Sequence, residues 1–105
     1  MRSIRRHYLV PRDIIDLADY IALDSLDAAI RFFAAAEATI ESLTEFPGKG
    51  SIRNLSNPRL ADVRSWKVKG FPNHLIIYEF TDAAVTVHAV IHGARNFEEL
   101  LEGRT

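Results

Sequence analysis

The chain is expected to fold as an α+β domain of element order β-α-α-β-β-β, with a helical hairpin packed on one face of an antiparallel sheet. Three observations carry that expectation. From residue 12 to residue 43, apolar side chains recur at helical spacing in two runs with almost nothing between them. From residue 63 to residue 92, the spacing changes to period two, in three runs joined by short turn-forming links. Helical and strand runs are therefore segregated along the chain, the mark of α+β order. The third observation is size: 105 residues, 48% of them apolar, close one hydrophobic core, so residues 1–105 read as a single domain.

The first strand is expected over residues 4–10, where Ile4, Arg6, Tyr8 and Val10 alternate with Arg5, His7 and Leu9. Pro11 ends it and suits the first turn of a helix. Ile14, Leu17, Ala18 and Ile21 then fall at i, i+3, i+4 and i+7, and the acids near the start complement the positive end of the helix dipole. Ser25 offers a cap for a second helix. Its expected buried stripe is Leu26, Ala29, Ile30, Phe33, Ala36, Ile40 and Leu43, with Pro47-Gly48 as the stop. Two helices joined so tightly must lie nearly antiparallel.

Residues 46–60 carry two prolines, two glycines and two asparagines and read as an irregular loop. Strands follow at 63–69, 73–81 and 85–92. The middle one is apolar on both faces, as a centrally placed strand covered on two sides should be. Short links at 70–72 and 82–84 suit antiparallel hairpins. In the last strand, strict alternation would place Val85, Val87, Ala89 and Ile91 on one face. A helical turn or two is expected over 96–101.

Several function classes are excluded at the outset. With no cysteine there is no disulfide framework, thiolate metal site or cysteine nucleophile. No apolar run approaches the roughly 20 residues that span a bilayer, and the opening MRSIRRHYLV lacks the apolar stretch of a secretory signal, so a cytoplasmic protein is expected. Net charge is -1, too little to coat nucleic acid. It is nonetheless segregated: residues 13–45 hold eight acids against Arg31 alone, whereas residues 46–69 hold six bases against Asp62. Such a division suits a surface for an acidic partner.

The chemistry-bearing side chains form no strong motif. His7, His74, His88 and His92 have no metal-ligand spacing, so neither a metal nor any other cofactor is expected. The serines sit in no G-x-S-x-G context and no glycine-rich phosphate loop is present. A metal-free ribonuclease would need a base, an acid and cations on the phosphate. Arg64, His74, His92 and Arg95, on or beside neighbouring strands, are the weak candidates for that chemistry.

Ordered segments along nearly the whole chain resemble the ParE branch of the RelE/ParE superfamily of bacterial toxins. They are LADYIA at 17–22, DSLDAAIRF at 24–32, FPGKG at 46–50, GFPNHLIIY at 70–78 and HGARN at 92–96. The resemblance implies the same β-α-α-β-β-β fold and a toxin of a type II toxin–antitoxin pair, neutralised by a ParD-like antitoxin. It implies DNA gyrase as the target, inhibited by binding, with RelE-like cleavage of mRNA on the ribosome as the alternative. Two departures favour gyrase. His74 stands where the nucleases tend to carry arginine, and Glu98-Glu99-Leu100-Leu101 has no ring where a catalytic tyrosine would be sought. Glu98, Glu99 and Glu102 would also repel RNA phosphate.

A toxin of this kind needs surfaces more than an active site. For the target, the candidates are Arg59, Arg64, Lys67 and Lys69 on the basic side of the sheet, with Arg95 and Phe97 in the C-terminal segment. For the antitoxin they are Phe32 and Tyr20 beside the hairpin. Phe32 and Phe33 are about 100° apart on one helix, so both cannot face the core, and Phe32 is expected to be the displaced ring. Sequence-specific DNA binding is expected of the antitoxin rather than of this chain.

Overall fold

A computed structural model describes residues 2–93 and 97–104. The chain begins with a short strand β1 (Ser3–Arg6), then helices α1 (Val10–Ala22) and α2 (Leu26–Ser42). Strands β2 (Ser51–Ile52), β3 (Arg64–Val68), β4 (Phe71–Phe80) and β5 (Ala84–His92) follow, and helix α3 (Phe97–Arg104) closes the chain. Pro11 stands in the first turn of α1, as anticipated, and Ser25 caps α2 by accepting the Ala28 N–H at 3.1 Å.

The strands form one sheet of order β1-β5-β4-β3-β2. The three long strands are antiparallel neighbours, as their short links require. Two features depart from the expected sheet. Strand β1 runs parallel to β5, with Ile4 opposite Val85, so the sheet is mixed. Within the 46–60 loop, the two residues of β2 pair with β3 and add a fifth strand. The turn between β3 and β4 is also tighter than expected. Only Lys69 and Gly70 connect them, and Gly70 has φ +83°, a conformation costly for any residue with a Cβ.

The sheet is buried on both faces. Between it and the hairpin lie Val10, Ile14, Phe32, Ala36, Ile40 and Leu43 from the helices, packed on Val68, Ile76, Tyr78, Val85, Val87 and Val90. On the opposite face, Leu60, Val63, Ile77, Ala89 and Ile91 are covered by Leu101 of α3. The β5 residues thus change face partway along, contrary to strict alternation. The pairing explains it: Ile77 faces Ala89 while Tyr78 faces Val87, so His88 is an extra, bulged residue. One inserted residue moves everything beyond it to the other face.

The buried stripe of α2 likewise differs from expectation. It is Ala29, Phe32, Ala36, Thr39 and Ile40, continued by Leu43. Leu26, Ile30 and Phe33 form a second stripe about 100° around the helix, and these are 67%, 62% and 44% exposed. Of the two adjacent rings, Phe32 is therefore the core one and Phe33 the displaced one. Phe32 is fully buried, edge-on to Phe71 at 5.1 Å, and is corrected from a surface docking residue to a core residue.

Candidate partner-binding surfaces

Two concave surfaces flank α2, and they differ in charge. The first lies on the outer side of the hairpin. Ala18 and Ala22 of α1 face Leu26, Ala29, Ile30, Phe33 and Ala34 of α2 across a groove of about 470 Å³. Small residues let the two helices approach, while the three large ones stand up as its wall. Asp19 is the one ionisable residue in its lining. Tyr20, 73% exposed on α1, is available to a partner but does not line this groove. Leu26, Ile30 and Phe33 were missed as surface residues in sequence, although α2 carries apolar residues around most of its circumference. Such a helix needs cover on more than one side.

The second surface lies between the C-terminal half of α2 and strand β3, a groove of about 600 Å³. Ala35, Ala38, Trp66, Val68 and Pro72 supply its apolar lining, and Lys49, Lys67 and Lys69 its charge. Lys49 is fixed there by donating to Ser42 Oγ at 3.0 Å and by lying 5.1 Å over the Trp66 ring. Of the expected target-binding residues, Lys67 and Lys69 belong to this groove. Arg59 is exposed at some remove in sequence, on a 3₁₀ turn (Pro58–Leu60) capped by Asn57. Arg64 is spoken for: it donates to the carbonyls of Gly48 and Gly50 at 3.2 and 2.8 Å and holds the loop after α2. Arg95 and the side chain of Phe97 lie outside the described residues.

Of the described ribonuclease candidates, His74 and His92 lie together and Arg64 stands apart from them. Arg64 pairs across the sheet with Tyr78, whereas His74 pairs with His92. Those positions are four steps apart along β4, about 13 Å at strand rise. His74 is only 9% exposed, its ring packed 4.8 Å from Phe32 and 4.7 Å from His92. Burial pushes its pKa below the ordinary value, and neighbouring His92 lowers it further. Its buried Nδ1 has no hydrogen-bond partner. His88, the other histidine of β5, is tied to Glu79 at 3.0 Å.

Beyond the grooves, one ion pair fixes the C-terminal helix. Arg104 of α3 makes two 2.7 Å bonds to the Asp13 carboxylate of α1 and donates to the His88 carbonyl at 2.8 Å. Asp13 also accepts the Val90 N–H at 3.1 Å, a group lying beside the β5 bulge and beyond the end of β1. Among the described residues no cluster of three or more histidine and carboxylate side chains is placed to hold a metal ion. No helix among them is long and apolar enough to cross a membrane.

The helical hairpin packed on one face of a mixed sheet has a counterpart among solved structures. A solved structure described as the chromosomal ParDE toxin–antitoxin system from P. aeruginosa superimposes with a TM-score of 0.69 at 14% identity, covering 90% of this chain and 98% of that one. The family model for the ParE toxin of the type II toxin–antitoxin system parDE matches residues 4–97. This chain belongs to the ParE toxin family. A search of curated proteins finds no match.

Proposed function

We propose that this chain inhibits DNA gyrase by binding it, and that a ParD-like antitoxin neutralises it by covering the outer face of the helical hairpin. The observation that carries the reading is the apolar stripe Leu26, Ile30 and Phe33, left in water around a groove that none of the described residues fills. Isolated exposed apolar residues are ordinary, but a contiguous patch is a sign of a protein partner. Inhibition by binding, rather than RNA cleavage, is supported by the separation of Arg64 from the His74–His92 pair. Arg64 is engaged by a loop, and His74 is packed among rings about four residues away along the sheet. On this reading Lys67, Lys69 and Arg59 remain the target-facing cations, and the protein works in the cytoplasm where gyrase is found.

Induced expression without antitoxin tests this reading in cells. Filamentous cells with DNA damage are the expected outcome, and translation arrest with cut transcripts would overturn the gyrase reading. In the same assay, the Ile30→Asp, Phe33→Asp variant should stay toxic when antitoxin is co-expressed. Those two side chains carry docking surface and little of the core. Phe32→Glu should instead simply fail to fold.

A further inference from the structure

We infer that His74 and His92 form a two-histidine site for a divalent cation of the late first-row transition series, the class of Ni²⁺, Cu²⁺ and Zn²⁺. The site stands independently of the toxin reading. Its basis is the register of the sheet, in which His74 on β4 lies directly opposite His92 on β5. Next to them, Gly93 donates its N–H to the Asn73 carbonyl at 2.6 Å, so Asn73 and Gly93 are a hydrogen-bonded pair. His74 and His92 are then the adjoining pair without such bonds, where Cα atoms lie about 4.5 Å apart and side chains come closest. Both rings therefore leave one face of the sheet from fixed, neighbouring points.

The spacing of the rings suits a shared cation. Their centroids are 4.7 Å apart and their planes are inclined at 59°. With nitrogen about 2.0–2.1 Å from the metal, two imidazoles on one cation hold their centroids roughly 4.5–5.2 Å apart, for bond angles of about 90–110°. The strands need not move to reach that arrangement. Two nitrogens are fewer than a structural zinc site uses. Water supplies the remaining positions, and the exposure of His92 gives it access.

The state of the His74 ring is the second observation. Its Nδ1 is buried without a hydrogen-bond partner, a costly condition for a polar atom. Two other histidines are engaged: His7 Nδ1 accepts the Leu9 N–H at 3.1 Å, and His88 Nε2 lies 3.0 Å from the Glu79 carboxylate. Phe32 and Phe71 pack against the His74 ring and fix its place. Burial also favours the neutral imidazole that a metal requires. The donors select the cation, because imidazole suits Zn, Cu and Ni while Mg²⁺ and Ca²⁺ take oxygen ligands. Sequence spacing hides the pair, since strand pairing and not a short motif joins the two residues.

The test is isothermal titration calorimetry of the full, untagged chain with NiCl₂ and ZnCl₂ at pH 7.5, with MgCl₂ as the comparison. The expected result is one Ni²⁺ or Zn²⁺ per chain, bound at least tenfold more weakly by His92→Ala and by His74→Phe. Binding should be unchanged in His7→Ala, with circular dichroism showing that all three variants are folded. Ni²⁺ should also raise the urea midpoint of the parent chain and leave that of His92→Ala unmoved, because only the fold joins the two strands. Protons compete for both rings, so affinity should fall between pH 7.5 and pH 5.5. No saturable binding up to about 1 mM, undiminished binding in His92→Ala, or equal binding of Mg²⁺ would each overturn the inference and leave the rings a packed pair only.

Discussion

The Tyr78 hydroxyl lies at the bottom of the core, donating to the Pro47 carbonyl at 2.6 Å and accepting the Gly50 N–H at 3.0 Å. A β-carbon on Gly50 would stand 2.8 Å from the Ser65 carbonyl oxygen and closer still to that hydroxyl, so the loop closes only around glycine. Gly50→Ala should cost about 1–3 kcal/mol by overpacking, and Tyr78→Phe a similar amount by leaving two buried backbone groups unpaired. Urea denaturation measures both. His74 supplies a pH dependence. Its folded pKa lies below the ordinary 6.5, so the unfolded chain binds the proton more tightly. Its contribution is thus fully present above pH 6.5 and is lost as pH falls from there through the folded value. Denaturation midpoints measured from pH 8 down to pH 5 should fall, and His74→Phe should flatten that share of the decline. Single residues were the least legible level in sequence. Phe32 and Phe33 are chemically identical neighbours, and which of them faces the sheet depends on the rotation of α2, which only its packing fixes.

Elements were more legible, and their failures have physical causes. Both helices of the hairpin, the Ser25 cap and the three long strands follow from spacing and turn residues, because all of those are local signals. The parallel pairing of β1 with β5 joins residues about eighty positions apart, and no turn encodes it. The bulge at His88 is equally silent, since an inserted residue leaves no mark in the alternation except a change of phase that the apolar Val90 and Ile91 conceal. Helix α3 is held by buried Leu101, by bonds from Ser56 to Glu98, and by the Asp13–Arg104 pair, whose side chains are 16% and 8% exposed. Arg104→Ala strands the Asp13 charge in the protein and should cost about 3–5 kcal/mol. Native-state hydrogen exchange should then show the Val90 amide and the amides of α3 exchanging much faster, while β4 keeps its protection relative to global unfolding.

Across the whole molecule, the polar groups that suggested chemistry in the sequence are mostly occupied with holding the fold. What the surface leaves unsatisfied is apolar on one side of α2 and cationic on the other. The segregation of charge was visible in the sequence from the start, as an acidic helical stretch followed by a basic one. The grooves were not, because they arise from how two helices and a strand edge meet. On the proposed reading, the chain acts by differential affinity for one state of a larger machine. The most direct measurement is a supercoiling assay with purified DNA gyrase and relaxed plasmid, titrating in the folded chain free of antitoxin. A gyrase inhibitor of this kind should cause loss of supercoiling or accumulation of cleaved plasmid at stoichiometric concentrations. Undiminished supercoiling, together with cleavage of mRNA on ribosomes by the same preparation, would contradict the proposed inhibition.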